Sequence, residues 1–185
     1  MPRMTNLDTC RCLICLDADS RERLDAIDTD TVKNVRDKGV HVVMILEDHE
    51  TAGWAFTTGL WHTYRSPEVA IFGLPNDIAH RCLQAAADQA AAGRPMAANE
   101  ERDEILKSLA VALRPVDESW RRKLFGVNVS FYRNTSPAVP FLQMLWPDRE
   151  GRFPGQQGFA TEYEDLQPHL WLSSAQHPAG LWTTL

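Results

Sequence analysis

Residues 40–74, VHVVMILEDHETAGWAFTTGLWHTYRSPEVAIFGL, decide the fold class. Val40 to Leu46 is a nearly unbroken β-branched and aliphatic run. That pattern suits a strand covered on both faces, so it is expected to be a central strand. The polar stretch Glu47 to Gly53 turns the chain into a second strand, Trp54 to Gly59, and the loop Leu60 to Pro67 leads to a third at Val69 to Leu74. Three consecutive strands with such connections favour an antiparallel meander.

On the N-terminal side, Leu24, Ile27, Thr31, Val32 and Val35 recur at helical spacing between Arg21 and Lys38, and Gly39 stands where a left-handed residue stops a helix. On the C-terminal side, Asn76 reads as an N-cap, and Ile78, Ala79, Cys82, Leu83, Ala86 and Ala90 form one apolar stripe ending at Gly93. Arg94 to Arg102 reads as polar and exposed, followed by a short helix or turn and a strand near Leu109 to Leu113. Asp117 can cap a further helix through Phe125, and Val139 to Trp146 is the last strand before Pro147 and Asp148 turn the chain. Regularity fades after Gly151, but Phe153, Phe159, Trp171 and Trp182 predict a tail wrapped on the domain as ordered loops. No internal repeat or dividing linker is visible. The expectation is an α+β fold: a single domain over residues 21–185, with helices packed on a mainly antiparallel sheet of about five strands. A cysteine-containing lead over residues 1–20 precedes it.

The 185 residues are 44% hydrophobic and 24% charged, a globular balance that excludes disordered, collagenous and low-complexity classes. A net charge of −6 has the wrong sign for general attraction to nucleic acid or an anionic membrane, so neither is an expected partner. No apolar run approaches the roughly 20 residues of a bilayer span, and Met1 to Asp8 offers no secretory hydrophobic stretch. A soluble, cytoplasmic protein is expected.

The sharpest chemical signal is Cys10-x-Cys12-x-x-Cys15. Thiolates this close in sequence can wrap a soft tetrahedral ion such as Zn²⁺ when a fourth donor arrives from elsewhere. That donor would be His41, His49, His62, Asp17 or Cys82, and His62 is attractive because its loop adjoins the pocket considered next. Reduced thiols in a mobile tail, and thiol exchange, are the competing readings. Exchange lacks its usual context, since Cys12 has neither a preceding strand nor a helix N-terminus to lower its pKa. An odd thiol cluster also argues against a disulfide framework.

The best candidate pocket is the strand-loop-strand unit from Thr57 to Glu68. His62 or Glu68 could serve as general base, while Thr57, Thr58, Gly59, Trp61 and Asp148 are candidate ligand-binding residues. The alternative is structural: Gly59 permits a bend, Glu68 pairs with a nearby arginine such as Arg65, and Trp61 fills core. Cys82 reads as core, His80 and Gln84 as solvated, and Arg121, Arg122 and Lys123 as a solvated helix face. Gln143 interrupts an apolar strand and, if buried, points to a hydrogen-bonded network. There is no Gly-x-Gly-x-x-Gly, phosphate-loop or Gly-x-Ser-x-Gly pattern, hence no nucleotide-binding fingerprint, and a flavin ranks last among cofactors.

Several segments resemble the bacterial domain-of-unknown-function family 4262: Phe56-Thr57-Thr58-Gly59-Leu60, Ser66-Pro67-Glu68, Phe72-Gly73-Leu74-Pro75, and Gln143 with Trp146-Pro147-Asp148. The resemblance runs from about Val32 to Gln167. Thr58 stands where that family has Ile, and Ser66 where it has His. The cysteine lead and Trp61-His62-Thr63 resemble the actinobacterial branch. The resemblance implies a shared fold and a shared surface near Thr57, Gly59 and Glu68, but no activity. Three functions therefore stand open: a binding domain with a structural zinc on Cys10, Cys12 and Cys15, a small-molecule enzyme using Thr57, His62 and Glu68, and a metal-free partner-binding or regulatory module; the partner is an unknown small molecule or protein.

Overall fold

The strands β1 (His41–Ile45), β2 (Trp54–Thr58), β3 (Glu68–Phe72), β4 (Glu101–Leu106), β5 (Leu109–Pro115) and β6 (Phe141–Leu145) form one sheet in the order β1-β2-β3-β6-β5-β4. They are seen in a computed structural model that describes residues 10–16, 24–49 and 51–184. β1, β2 and β3 make the expected antiparallel meander, and β4, β5 and β6 a second one. The two join through a parallel β3–β6 seam, in which Glu68 faces Phe141. A parallel pair needs a long crossover, and residues 73–140 supply it.

The helices are α1 (Ala26–Lys38), α2 (Leu60–Tyr64), α3 (Asn76–Ala91), α4 (Arg121–Leu124) and α5 (Gly126–Phe131). The α3 stripe of Ala79, Cys82, Leu83 and Ala86 packs on one sheet face with Val69 and Ile71. The alternate β3 residues Ala70 and Phe72 face the other way, into Phe56, Trp120, Phe125, Phe141 and Trp182. Period-two alternation thus feeds two cores from one strand, which explains the unbroken apolar reading of residues 69–72. Burying each large side chain there contributes about 1.5–3 kcal/mol. The tail wraps as expected: Phe153, Phe159 and Trp182 are buried, and Trp182 lies edge-on to Phe72 at 5.3 Å. Among the described residues, no helix is long and apolar enough to cross a membrane.

Four expectations need correction. β1 is an edge strand, and its five residues are only half-buried. Val42 and Met44 meet the α3 side and Val43 and Ile45 the other, so both faces are covered although one edge is bare. Among the described residues the sheet has six strands rather than about five, because Glu101–Leu106, read partly as exposed polar chain and partly as a short helix or turn, pairs with β5. Its exposed charges and a bulge between Arg102 and Leu106 hide the alternation. The N-cap of α3 is Pro75, not Asn76, because the Pro75 carbonyl already accepts from Ile78 and Ala79 N–H. Ile27 lies outside the α1 stripe at 59% exposure; α1 starts at Ala26 behind an Asp25 cap, and Arg21 lies outside the described residues.

A candidate metal centre

The described part of the lead docks on the domain. Cys15 and Leu16 N–H both donate to the Cys12 carbonyl, curling residues 12–16 into a turn. Leu13 is buried against Val32, Val35, Phe131 and Val139, its N–H donates to the Phe131 carbonyl at 3.0 Å, and Arg11 N–H reaches Thr135 Oγ1 at 3.2 Å. One apolar anchor and two long-range hydrogen bonds, to the Phe131 carbonyl and the Thr135 hydroxyl, therefore position the three sulfurs.

His62 comes from the opposite direction, on α2. That helix begins after Gly59, whose φ of 108° and close approach to Val35 leave no room for a side chain: a Cβ there would lie 2.6 Å from Val35 Cγ2. Val35 thus takes up the space beside Gly59 where a side chain would stand. The His62 backbone N–H donates to the Tyr132 hydroxyl at 3.2 Å, and the imidazole stands edge-on to Phe131.

The two approaches meet at Nδ1 of His62. It lies 3.9 Å from Cys10 Sγ, 3.3 Å from Cys12 Sγ and 3.5 Å from Cys15 Sγ, while the Cys12 and Cys15 sulfurs are 3.7 Å apart. All four donor atoms fall within 4.8 Å of one another. Ligands placed tetrahedrally at zinc bond lengths stand roughly 3.6–3.8 Å apart, so the cluster is close to the size of the ion's first coordination sphere. Cys12 is buried, Cys10 half-buried and Cys15 exposed, which leaves one side open to solvent. The Cys10 thiol is pulled down to about 4, chiefly by the hydrogen bond from the Cys12 thiol and further by His62 and the Cys12 backbone N–H. The Cys12 thiol is pushed up because its proton is shared with Cys10 and it is buried. Burial also raises Cys15.

Glu68 lies beneath α2 with no solvent exposure. Its Oε1 accepts from Gly59 N–H at 2.9 Å, Trp61 N–H at 3.1 Å and the Tyr132 hydroxyl at 2.6 Å, and the Thr57 hydroxyl meets Oε2 at 2.7 Å. The carboxyl thus takes up two orphan N–H groups at the start of α2, the service an N-cap residue usually performs. Burial raises its pKa against the pull of these hydrogen bonds. Glu68 is not paired with Arg65, whose guanidinium donates to the Trp61 carbonyl at 2.8 Å instead.

Of the candidate pocket residues, the structure gathers Thr57, Gly59, Trp61 and Glu68 into this network, with His62 turned toward the sulfurs. Thr58 is buried beside them in sequence, with Oγ1 lacking a partner among the described residues. Asp148 stands apart, beyond the far end of β6 from Glu68, where it accepts from Glu150, Arg152 and Ala160 N–H and pairs with Arg152. Of the other candidate ligands, His41 meets Asn34, His49 is exposed and Cys82 is buried on the inner face of α3. Asp17 lies outside the described residues. Gln143 uses both ends of its amide, on the Pro168 carbonyl and Leu170 N–H. Sequence reasoning missed Tyr132, which links Glu68 to His62, and Asn128, whose amide donates to the Thr57 carbonyl at 3.3 Å. Asn128 stands on α5 and Tyr132 is its C-cap, and the residues GVNVSF do not announce that helix by any apolar period.

Fold and site together define an α+β domain with a Cys3His cluster of metal-binding size. The chain belongs to the family described as Domain of unknown function (DUF4262), whose model matches residues 34–160, more than half of its length. Comparison with curated proteins and with solved structures returned no match. The matched region includes His62, Glu68 and Tyr132 but not the three cysteines, so one donor lies inside the family segment and three lie before it.

Proposed function

We propose that this chain is a binding domain that holds one Zn²⁺ on Cys10, Cys12, Cys15 and Nδ1 of His62, and that the ion's role is structural. The observation that carries this reading is the convergence of four donor atoms from two segments about 50 residues apart, at spacings matching tetrahedral zinc. Soft thiolates with one imidazole suit Zn²⁺ better than hard cations. Four protein ligands close the coordination sphere, whereas a catalytic zinc keeps a position for water or substrate. The ion ties residues 10–16 to α2, adding a crosslink to the contacts of Leu13. The supporting layer fits too: Glu68 and Tyr132 hold the backbone of the turn that presents His62.

General-base catalysis by His62 or Glu68 finds less support. The Nδ1 atom faces three sulfurs, and the carboxyl meets four hydrogen-bonding groups away from solvent. We further propose the cytoplasm as the compartment, since a reducing environment keeps the three thiols available to metal.

Cobalt substitution tests the assignment. Co²⁺ added to metal-free protein is expected to give the intense visible bands of a tetrahedral site and thiolate charge-transfer absorption in the near ultraviolet, both displaced by one equivalent of Zn²⁺. A pale octahedral spectrum, or one unchanged in His62→Ala and Cys12→Ser, contradicts it.

A further inference from the structure

A cavity of about 320 Å³ lies between the α4–α5 corner and residues 135–139, with Tyr132 in its wall. Its lining carries three arginines, Arg121, Arg122 and Arg133, against one acid, Glu118. In a chain of net charge −6 this is a local reversal of sign.

The three arginines are not equivalent. Arg133 is already neutralised by Asp28 at 3.0 Å. Arg121, expected to be solvated, is half-buried over the Phe141 ring and makes its one hydrogen bond among the described residues to the Val139 carbonyl. Most of its five N–H donors are therefore free. Arg122 is exposed and makes no ion pair or hydrogen bond among the described residues. One guanidinium with donors to spare, Arg121, and one without a side-chain partner among the described residues, Arg122, thus border a concavity whose remaining walls include Val129, Val139 and Tyr132. Its volume is at the small end of the range of ligand pockets. Planar guanidinium donors match the oxygens of carboxylates and phosphates, and Arg is the side chain best suited to such pairing.

We propose that this cavity binds a small organic oxyanion, a carboxylate or phosphomonoester on an apolar body, with Arg121 and Arg122 meeting the anion and Val129, Val139 and Tyr132 enclosing the body. The site is separate from the cysteine cluster and stands independently of the zinc reading. Because Tyr132 belongs to both the cavity wall and the hydrogen bonds under His62, an occupant would press on the same ring that steadies α2.

The test titrates the full chain, as purified, with benzoate, phenyl phosphate and neutral benzyl alcohol, reading amide shifts by NMR. At least one of the two anions is expected to saturate below about 10 mM, the range of a weak small-ligand site, with shifts centred on residues 121–139. A stronger response to phenyl phosphate selects the phosphomonoester, and a stronger response to benzoate the carboxylate. Arg122→Gln, on an exposed side chain, is expected to weaken binding about tenfold, the loss of one charge-assisted hydrogen bond. Val129→Trp is expected to fill the space and abolish binding. Saturation by neither anion, equal binding of benzyl alcohol, or unchanged affinity in a folded Arg122→Gln protein overturns the proposal.

Discussion

The Tyr132 hydroxyl donates to Glu68 Oε1 across 2.6 Å, and the hydroxyl oxygen in turn accepts the backbone N–H of His62. One phenol thereby joins a buried carboxyl to the turn that carries a candidate metal ligand. Tyr132→Phe keeps the ring and removes the bridge, leaving the His62 N–H without its acceptor. Urea unfolding should show a loss of about 1–2 kcal/mol. Zinc affinity, read by chelator competition, should fall by about tenfold, the lower end for a residue supporting a ligand. Lost stability with unchanged affinity would leave Tyr132 a packing residue only.

Glu68 gives a prediction in pH. Burial holds its carboxyl above the ordinary 4.5, so the folded chain keeps a proton that the unfolded chain releases. The natural place for that proton is Oε2, since Oε1 takes three donors and the Thr57 hydroxyl can turn to the Val69 carbonyl at 3.5 Å. The resulting stabilisation is complete below the unfolded value and lost as pH rises through the folded one. Glu68→Gln should flatten this decline in unfolding curves taken across that window. Glu68→Ala, which strands two N–H groups and a phenol, should cost about 3–4 kcal/mol.

Gly59 is a steric prediction. Its positive φ and the 2.6 Å approach of Val35 Cγ2 to an added Cβ mean that Gly59→Ala strains backbone and packing together. A loss of about 2 kcal/mol or more in denaturant unfolding is expected from the left-handed conformation and the clash. Val35→Ala in the same chain should recover part of it beyond additivity. Simple additivity would mean that the two side chains do not share the space.

The residues around these positions show what a sequence can reveal. The α3 stripe was legible because its apolar spacing and Gly93 agree on one helix. Hydropathy along β1 reported covered faces correctly, but it carries no information about which edge of a strand is paired, so an edge strand read as central. β4 was hidden because ERDEIL pairs through its backbone while Glu101, Asp103 and Glu104 point to water and Ile105 alone is buried. His62 could be named beside the cysteines only as one candidate of five, since choosing among them needs the long-range meeting of the lead with α2. Tyr132 was invisible for the same reason: its partners lie 64 and 70 residues away.

Metal binding should follow pH in a definite direction. Cys10 is already drawn down to about 4, whereas Cys12 and Cys15 are raised and retain protons near neutrality. Coordination must displace those two protons, so apparent affinity should rise with pH, by about a hundredfold per unit for two protons released. Competition with a chromophoric chelator between about pH 6 and pH 8 reads that slope. A flat profile would contradict thiolate ligation.

The most direct measurement is native mass spectrometry of the full chain purified under reducing conditions without added metal. The account predicts one zinc per chain, absent from His62→Ala and from Cys12→Ser, with faster proteolysis near residues 10–16 after chelation. A metal-free mass, or stoichiometric zinc retained by both variants, would contradict it.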